Sequence, residues 1–440
     1  MSSSTRVVLL LGRERMARSR IRVSRLILAM LTIGLLHAPP PAGASNCAVT
    51  SVGFTPLTDL GAGLYHGFPG GLYGAGANVR PAAHEAAGVA IAHGMTPLDT
   101  LGNPSASGRI VFISIGMSNG TQEFSTFVPK ANAEPTRNPY VQVIDCAQGG
   151  QATQDIRTPS AAYWDYVATR LRAAGSTPLQ AQAVWLKEAR RSPTEPFPAS
   201  AESLTNDLGA IVRILKTKVP NVKQVFFTSR IYAGYASSAL NPEPFAYESG
   251  FAVKWLIEAQ IAGEDSLNWD AGAGAVHAPW LSWGPYMWAD GLTPRSDGLM
   301  WACSEFNSDG THPDTPGRIK VADSLLAFMK RDSATEPWFV NHATASVTPG
   351  GARGLTLSIA PNPALGALNV TFATVARSAW SAEIVDLAGR RVSGLGSGIG
   401  DGALRTLKWN AGQAHRQGVY WVRLKSGGEV ATRRAVVVAP

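Results

Sequence analysis

The sequence predicts an α/β protein, with a parallel sheet covered by helices on both faces, followed by a small antiparallel β-sandwich. Two patterns carry this. From residue 109 to 340, short apolar runs rich in β-branched residues alternate with stretches of helical period, as strand–helix–strand crossovers do. Beyond residue 354 come short alternating strands separated by turn residues, such as LTLSIAP, ALNVTFAT and GVYWVRLKS. A hydrophobic content of 45% against 16% charged residues excludes a disordered chain.

Residues 1–44 read as an export signal. Arginines precede the apolar run 26–36, prolines follow it, and Ala42 and Ala44 fit cleavage after Ala44. Met16 as the start would leave a shorter basic region. The run is too short to span a membrane comfortably, so no stable span is expected after cleavage. Seven arginines against one acid, Glu14, also put most of the +8 net charge in this segment. The remainder is nearly balanced, so no basic surface for nucleic acid is indicated. Three cysteines, Cys47, Cys146 and Cys303, allow an exported chain one disulfide and one thiol, with the pairing open. There is no CxxC and no tight His/Cys cluster, so a structural zinc site is not expected. No cofactor is expected either.

Residues 45–108 are rich in glycine and turn residues (GFPGGLYGAGANVRP) and read as an irregular extension packed on the main domain. His66, His84 and His93 lack ligand-type spacing there and read as loop or packing histidines. Run 110–115, IVFISI, reads as a buried parallel strand. Gly116 lets the chain turn, and Ser118 stands just past the strand's carboxyl end, where open α/β sheets place their ligand crevice. The amides of Ser118 and Asn119 would begin a helix and face developing negative charge. Ser118 suits two roles, a nucleophile if a base reaches it, or the N-cap of a βα loop.

Further strands are expected at 141–147, 181–186, 222–231 and 276–283, and helices at 160–174, 201–219, 250–262 and 319–329. In 201–219, Leu204, Leu208, Ile211, Leu215 and Val219 recur on one face. The base for Ser118 is sought in 307–318, NSDGTHPDTPGR. Asp309 and His312 are separated by two residues, in a loop just before the last helix. That spacing lets the carboxylate hold one ring nitrogen while the other faces a serine. The same residues also suit a plain capping loop.

Together these stretches resemble the SGNH hydrolases, also called GDSL esterases, over residues 109–332. The resemblance implies a flavodoxin-like three-layer α/β/α fold and a catalytic Ser118–His312–Asp309 set with no metal. Asp-Gly-Thr-His-Pro, followed by Gly317-Arg318, is very close to the family's last block. Gly116-Met117-Ser118-Asn119 lacks the usual Asp before Ser and is nearer the Gly-Gln-Ser-Asn of the sialic-acid and xylan acetylesterase branches. The second block implies an oxyanion-hole glycine after the second strand, Gly150 first and Gly149 second, beside the amide of Ser118. The third block departs from the family. VWLKEA holds neither Asn nor Gln, and Lys187 stands where the amide would. Lys187 is read either as an oxyanion donor held by Glu188 or as an ordinary strand-end lysine.

The stretch 278–301 is dense in tryptophan, at 280, 283, 288 and 301. A packed insert is the preferred reading over a sugar-binding wall. In the tail, Pro361-Asn362-Pro363, Asp386-Leu387-Ala388-Gly389-Arg390 and Gly418-Val419-Tyr420 with Arg423-Leu424 resemble the C-terminal sorting domains of type IX secretion. Those are Ig-like sandwiches read by an export machine at the outer membrane; a plain Ig-like binding or spacer module is the alternative. The expected organisation is therefore signal 1–44, extension 45–108, catalytic domain 109–340, linker 341–354 and sorting domain 355–440. The expected function is that of a secreted serine esterase, with acetylated carbohydrate as leading substrate and the secretion machinery as partner. The alternatives are a non-catalytic surface glycan-binding protein on the same fold, and an esterase or lipase for apolar acyl chains.

Overall fold

The computed structural model describes residues 44–341, 355–365, 367–375, 377–386, 389–410 and 418–438. Apart from Ala44 and Asn341, the expected signal and linker lie outside the described residues.

Five strands form the central sheet: β1 (Ile110–Gly116), β2 (Val141–Ile144), β3 (Ala181–Lys187), β4 (Gln224–Phe227) and β5 (Trp280–Trp283). All pairs are parallel, in the order β2-β1-β3-β4-β5, which is the flavodoxin-like order. Every residue of β1, β3, β4 and β5 is buried, as expected of strands covered on both faces. The longer helices are α1 (Ala82–His93), α2 (Ser118–Ala133), α3 (Ala162–Ala173), α4 (Ala199–Lys218), α5 (Phe245–Ile261) and α6 (Thr315–Arg331). Right-handed crossovers put α2 with α6 on one face and α3, α4 and α5 on the other, and α2 packs on α6 while α4 packs on α5. The chain reverses direction around β1, so the switch point of the sheet opens beside the residues that follow β1.

Strands 141–147 and 222–231 end earlier than expected because their last residues leave the ladder to build loops over that switch point. Helices expected at 250–262 and 319–329 begin earlier, at Phe245 and Thr315. The second is started by the Asp314 carboxylate, which accepts from the Thr315 amide at 2.7 Å, with Pro316 in the first turn.

Residues 45–108 are less irregular than expected, since they contain α1. Its AAHEAAGVAIAH sequence has little apolar stripe, but alanine is the best helix former. The helix docks on the β4–β5 edge. His84 stacks on Trp280, with Nε2 2.8 Å from the Leu281 carbonyl oxygen, and Gln224 Nε2 donates to the Gly88 carbonyl. Trp280, Trp283, Trp288 and Trp301 are all buried in the core, so the stretch 278–301 is a packed insert.

Beyond residue 354, a second core lies between two sheets. One contains β6 (Thr356–Ala360), β8 (Ala367–Ala373) and β11 (Arg405–Asn410), ordered β11-β8-β6. The other contains β7 (Ala364–Leu365), β9 (Ala379–Val385), β10 (Arg391–Ile399), β12 (Gly418–Ser426) and β13 (Glu429–Val438), ordered β10-β9-β12-β13-β7. Pairing is antiparallel except for β13 with β7. Leu368, Val370 and Phe372 of the first sheet face Ile384, Val422 and Leu424 of the second, as the alternation predicts. Among the described residues, no helix is long and apolar enough to cross a membrane.

The α1–β5 contact yields a test. Replacing a mid-helix glycine with alanine ordinarily gains up to about 1 kcal/mol. At Gly88 the new Cβ would lie 2.3 Å from the Trp280 ring. Overpacking of this kind costs about 1–3 kcal/mol, so Gly88→Ala should lower the thermal midpoint rather than raise it. A melt of the two proteins checks the sign.

Candidate active site

The site lies at the carboxyl ends of β1 to β4. β1 ends at Gly116, whose position admits no side chain, because an added Cβ would lie 2.4 Å from the Lys187 carbonyl oxygen on β3. The chain then turns through Met117, which is the extended N-cap of α2 and makes no side-chain cap. Ser118 is thus the first residue inside the helix rather than its cap, and its hydroxyl is free for other use. The amides of Ser118, Asn119 and Gly120 precede the first intrahelical bond, from Thr121 to Met117, and form a helix N-terminus beside that hydroxyl.

The Ser118 hydroxyl lies 2.7 Å from His312 Nε2, and His312 Nδ1 lies 2.6 Å from Asp309 Oδ2. The other carboxylate oxygen of Asp309 accepts from the amides of Thr311 and His312, at 2.9 and 3.0 Å. Partial burial alone would raise the Asp309 pKa. The hydrogen bonds from His312 and the two amides outweigh it and hold the carboxyl well below the usual range. A carboxylate against Nδ1 favours the tautomer with its proton there, which turns the unprotonated Nε2 to the Ser118 hydroxyl.

Several contacts hold this loop. Gly310 has φ +64° and sits against the Tyr235 carbonyl, where an added Cβ would lie 2.0 Å from the oxygen. The Asn119 amide group donates to the Thr311 carbonyl at 3.2 Å, tying the loop to α2. The N-terminal extension also reaches it. Cys47 and Cys303 form the disulfide, and the Ser45 amide donates to the Ser308 carbonyl. Cys146 is the free, buried thiol, and burial pushes its pKa up.

Gly149 and Gly150 follow β2. Gly150 has φ +77° and lines a cavity of about 210 Å³ together with Ser118, His312, Asn119, Arg190, Arg191, Arg230 and Asn241. Gly149 faces Ser118 from beside it, its Cβ position 3.9 Å from Ser118 Cβ. The Arg191 guanidinium donates to the Gly150 carbonyl at 2.7 Å and braces that turn. The carboxyl ends of β1 and β2 are locked together by Asp145, which accepts from Ser114 and Thr121.

Lys187 does not join this group. It is fully buried, does not line the cavity, and pairs with Glu123 of α2 rather than with Glu188, its Nζ 2.7 Å from both carboxylate oxygens. The reason is the pleat of β3. Successive side chains alternate across the sheet, which sends Lys187 beneath α2 and the adjacent Glu188 to the other face. Burial lowers the Lys187 pKa and raises that of Glu123, and each partner opposes the other's shift. Among the described residues Lys187 and Glu188 form no ion pair, and burial raises the Glu188 pKa well above the usual carboxylate range.

Arg190, Arg191, Arg230 and Asn241 were not singled out from sequence. Arg230 stands one residue before the end of the run 222–231 expected to be strand, and a charged residue so near a strand's carboxyl end is the signal that marks it. Among the described residues, no cluster of three or more His, Cys, Asp or Glu side chains suits a metal ion.

Residues 358–438 match the family model described as the secretion system C-terminal sorting domain. The chain is accordingly directed to export, to the cell surface or beyond it, and that domain connects it to the type IX secretion machinery. No curated protein matches the chain. Among solved structures, it is similar to dimeric latent PorU from Porphyromonas gingivalis, at 20% identity over 20% of this chain and 10% of that one, TM-score 0.17. It is also similar to the salicylyl-acyltransferase SsfX3 from a tetracycline biosynthetic pathway, at 15% identity over 52% and 56% of the two chains, TM-score 0.28. A GDSL-like lipase from Bacteroides thetaiotaomicron is similar at 11% identity over 57% and 96%, TM-score 0.30. The chain thus spans a tenth of the first of these and little more than half of the second.

Removing one member of the Lys187–Glu123 pair leaves a buried charge alone, at a cost of about 3–5 kcal/mol. Lys187→Met should therefore lower stability by about that amount in denaturant unfolding, and adding Glu123→Leu should recover most of it.

Proposed function

We propose that this chain is an exported serine esterase that cleaves carboxylic esters through an acyl-enzyme, with acylated carbohydrate as its substrate class. The single observation that carries the reading is the continuous relay from the Ser118 hydroxyl through His312 to Asp309, at 2.7 and 2.6 Å, beside a helix N-terminus.

In this reading His312 takes the Ser118 proton as the oxygen attacks the ester carbonyl. Asp309 holds the ring and stabilises the imidazolium. The charge that develops on the carbonyl oxygen is met by the amide of Ser118 and by that of Gly150 or Gly149. His312 then protonates the leaving alcohol, and water, activated by the same ring, releases the acid. The oxyanion hole consists of backbone amides, and Lys187 has no part in it.

The cavity supports a small acyl group. At about 210 Å³ it falls below the roughly 300–1,000 Å³ of sites that enclose drug-sized ligands, which favours compact substituents on the ester. Its walls also support a hydroxylated alcohol. Asn119 Oδ1 and Asn241 Oδ1 are buried without a hydrogen-bond partner, and both residues line the cavity. Two unfilled acceptors call for donors, which sugar hydroxyls supply.

Ser118→Ala and His312→Ala should each lower kcat/KM for 4-nitrophenyl acetate by about 10³-fold or more while the melting curve stays near that of the wild type. Turnover by Ser118→Ala within tenfold of the wild type, with contaminating esterases removed, would overturn the assignment. Deleting residues 355–440 should separate the two tasks: purified protein keeps esterase activity, while a host with the cognate secretion system no longer exports it. Fractionation of cells and medium reads the second outcome.

A further inference from the structure

Arg230 follows β4, lines the Ser118 cavity and is only 2% exposed. Among the described residues its guanidinium has no hydrogen-bond or ion-pair partner, and Nε and Nη2 are buried without one. The other two arginines of the wall are engaged, Arg190 with Glu195 and Asp207, Arg191 with Asp155. The carboxylates that act on Arg230 at longer range have partners of their own. Glu123 holds Lys187, Asp309 holds His312, and Glu243 accepts from the Trp288 indole and the amides of Ala233 and Tyr247. Glu188 is buried and held towards its neutral form. A guanidinium stays charged at any working pH, and a buried charge without a counter-ion is strongly unfavourable. An anion supplied by the substrate removes that penalty.

We propose that the alcohol part of the substrate carries a carboxylate and that Arg230 binds it, so that the preferred substrates are esters of acidic sugars such as uronic acids. This rests on the esterase reading above and deepens it. The side of the site is set by topology. Gly149 and Gly150 follow β2, on one side of β1, whereas Arg230 follows β4, on the other. The loop bearing Asp309 and His312 packs on the chain just beyond Arg230, where the Ser237 amide donates to the Asp309 carbonyl at 3.4 Å and Gly310 abuts Tyr235. The carbonyl oxygen of the ester therefore turns towards β2, and the leaving oxygen towards His312, which must protonate it. The group on the Arg230 side is the alcohol. A single unmatched positive charge with a planar donor fork suits a carboxylate, with one negative charge and two coplanar oxygens. The empty acceptors of Asn119 and Asn241 suit the hydroxyls of the same ring.

The test uses matched probes. Methyl O-acetyl-glucuronoside is compared with its C6 carboxamide, acetylated alike, and the two unacetylated compounds serve as ligands that need no turnover. A charged hydrogen-bonded pair supports a preference of about ten- to hundredfold. Wild type should show that preference for the acid in kcat/KM, mostly through KM. Arg230→Gln should bring the ratio to about one or below, and Arg230→Lys should restore part of it. The unacetylated acid should raise the wild-type melting temperature more than the amide does. Equal treatment of acid and amide by the wild type, or an undiminished preference in Arg230→Gln, overturns the proposal. If neither acetylated compound is cleaved but the acid alone stabilises the wild type, the esterase reading fails and the Arg230 site stands. Should Arg230→Gln not fold, the wild-type comparison of acid and amide decides by itself.

Discussion

Glu123 lies five residues beyond Ser118 on α2, and the Lys187 ammonium lies at the end of β3. Both are fully buried, and their contact pins the first turns of α2 to the sheet. A buried pair of this kind gains little net stability against an apolar pair of the same volume, but it tolerates little displacement, because either charge alone is costly. The close approach of Gly116 to the Lys187 carbonyl adds a steric limit at the same point. Together they set where Ser118 and the free amides of the helix N-terminus stand relative to the strand ends.

The other half of the relay is set from the opposite direction. The loop 309–312 is short and polar, and it holds a ring nitrogen 2.7 Å from Ser118. It is held from three sides, by α2 through Asn119, by the chain after β4 through Gly310, and by the N-terminal extension near Ser308. The Cys47–Cys303 bridge closes a loop of 256 residues and fastens the extension to the segment that leads into this loop. Ion pairs from Lys130 to Asp323 and from Lys330 to Glu134 tie α2 to α6, the helix that follows His312. The extension is thus a working part of the site's frame.

The electrostatics of the cleft divide by the same geometry. Positive charge near Ser118 falls into two kinds. One kind is neutralised within the fold, as at Lys187, Arg190 and Arg191. The other, Arg230, is not. The first kind braces the walls, whereas the second faces the cavity with its bonding capacity unspent. Two side-chain amide oxygens of residues that line the same cavity, Asn119 Oδ1 and Asn241 Oδ1, are likewise without a hydrogen-bond partner.

Much of this was legible in the sequence alone, for local reasons. The two-texture architecture follows from hydrophobic period, which residues impose on their own segment. Ser118, Asp309, His312 and the two glycines stand out because each depends on position relative to a strand end or helix start, and such positions are read from neighbours in the chain. The matched tail is likewise a linear pattern. Other matters were decided only by the tertiary structure. Whether a residue at the end of β3 points up into the cleft or down beneath α2 depends on the pleat and on which carboxylate waits below, so the partner of Lys187 proved to be Glu123, 64 residues away. The cysteine pairing, the docking of an alanine-rich helix against Trp280 and the isolation of Arg230 are of the same kind. Each is a relation between distant segments, and periodicity and spacing describe only the near ones.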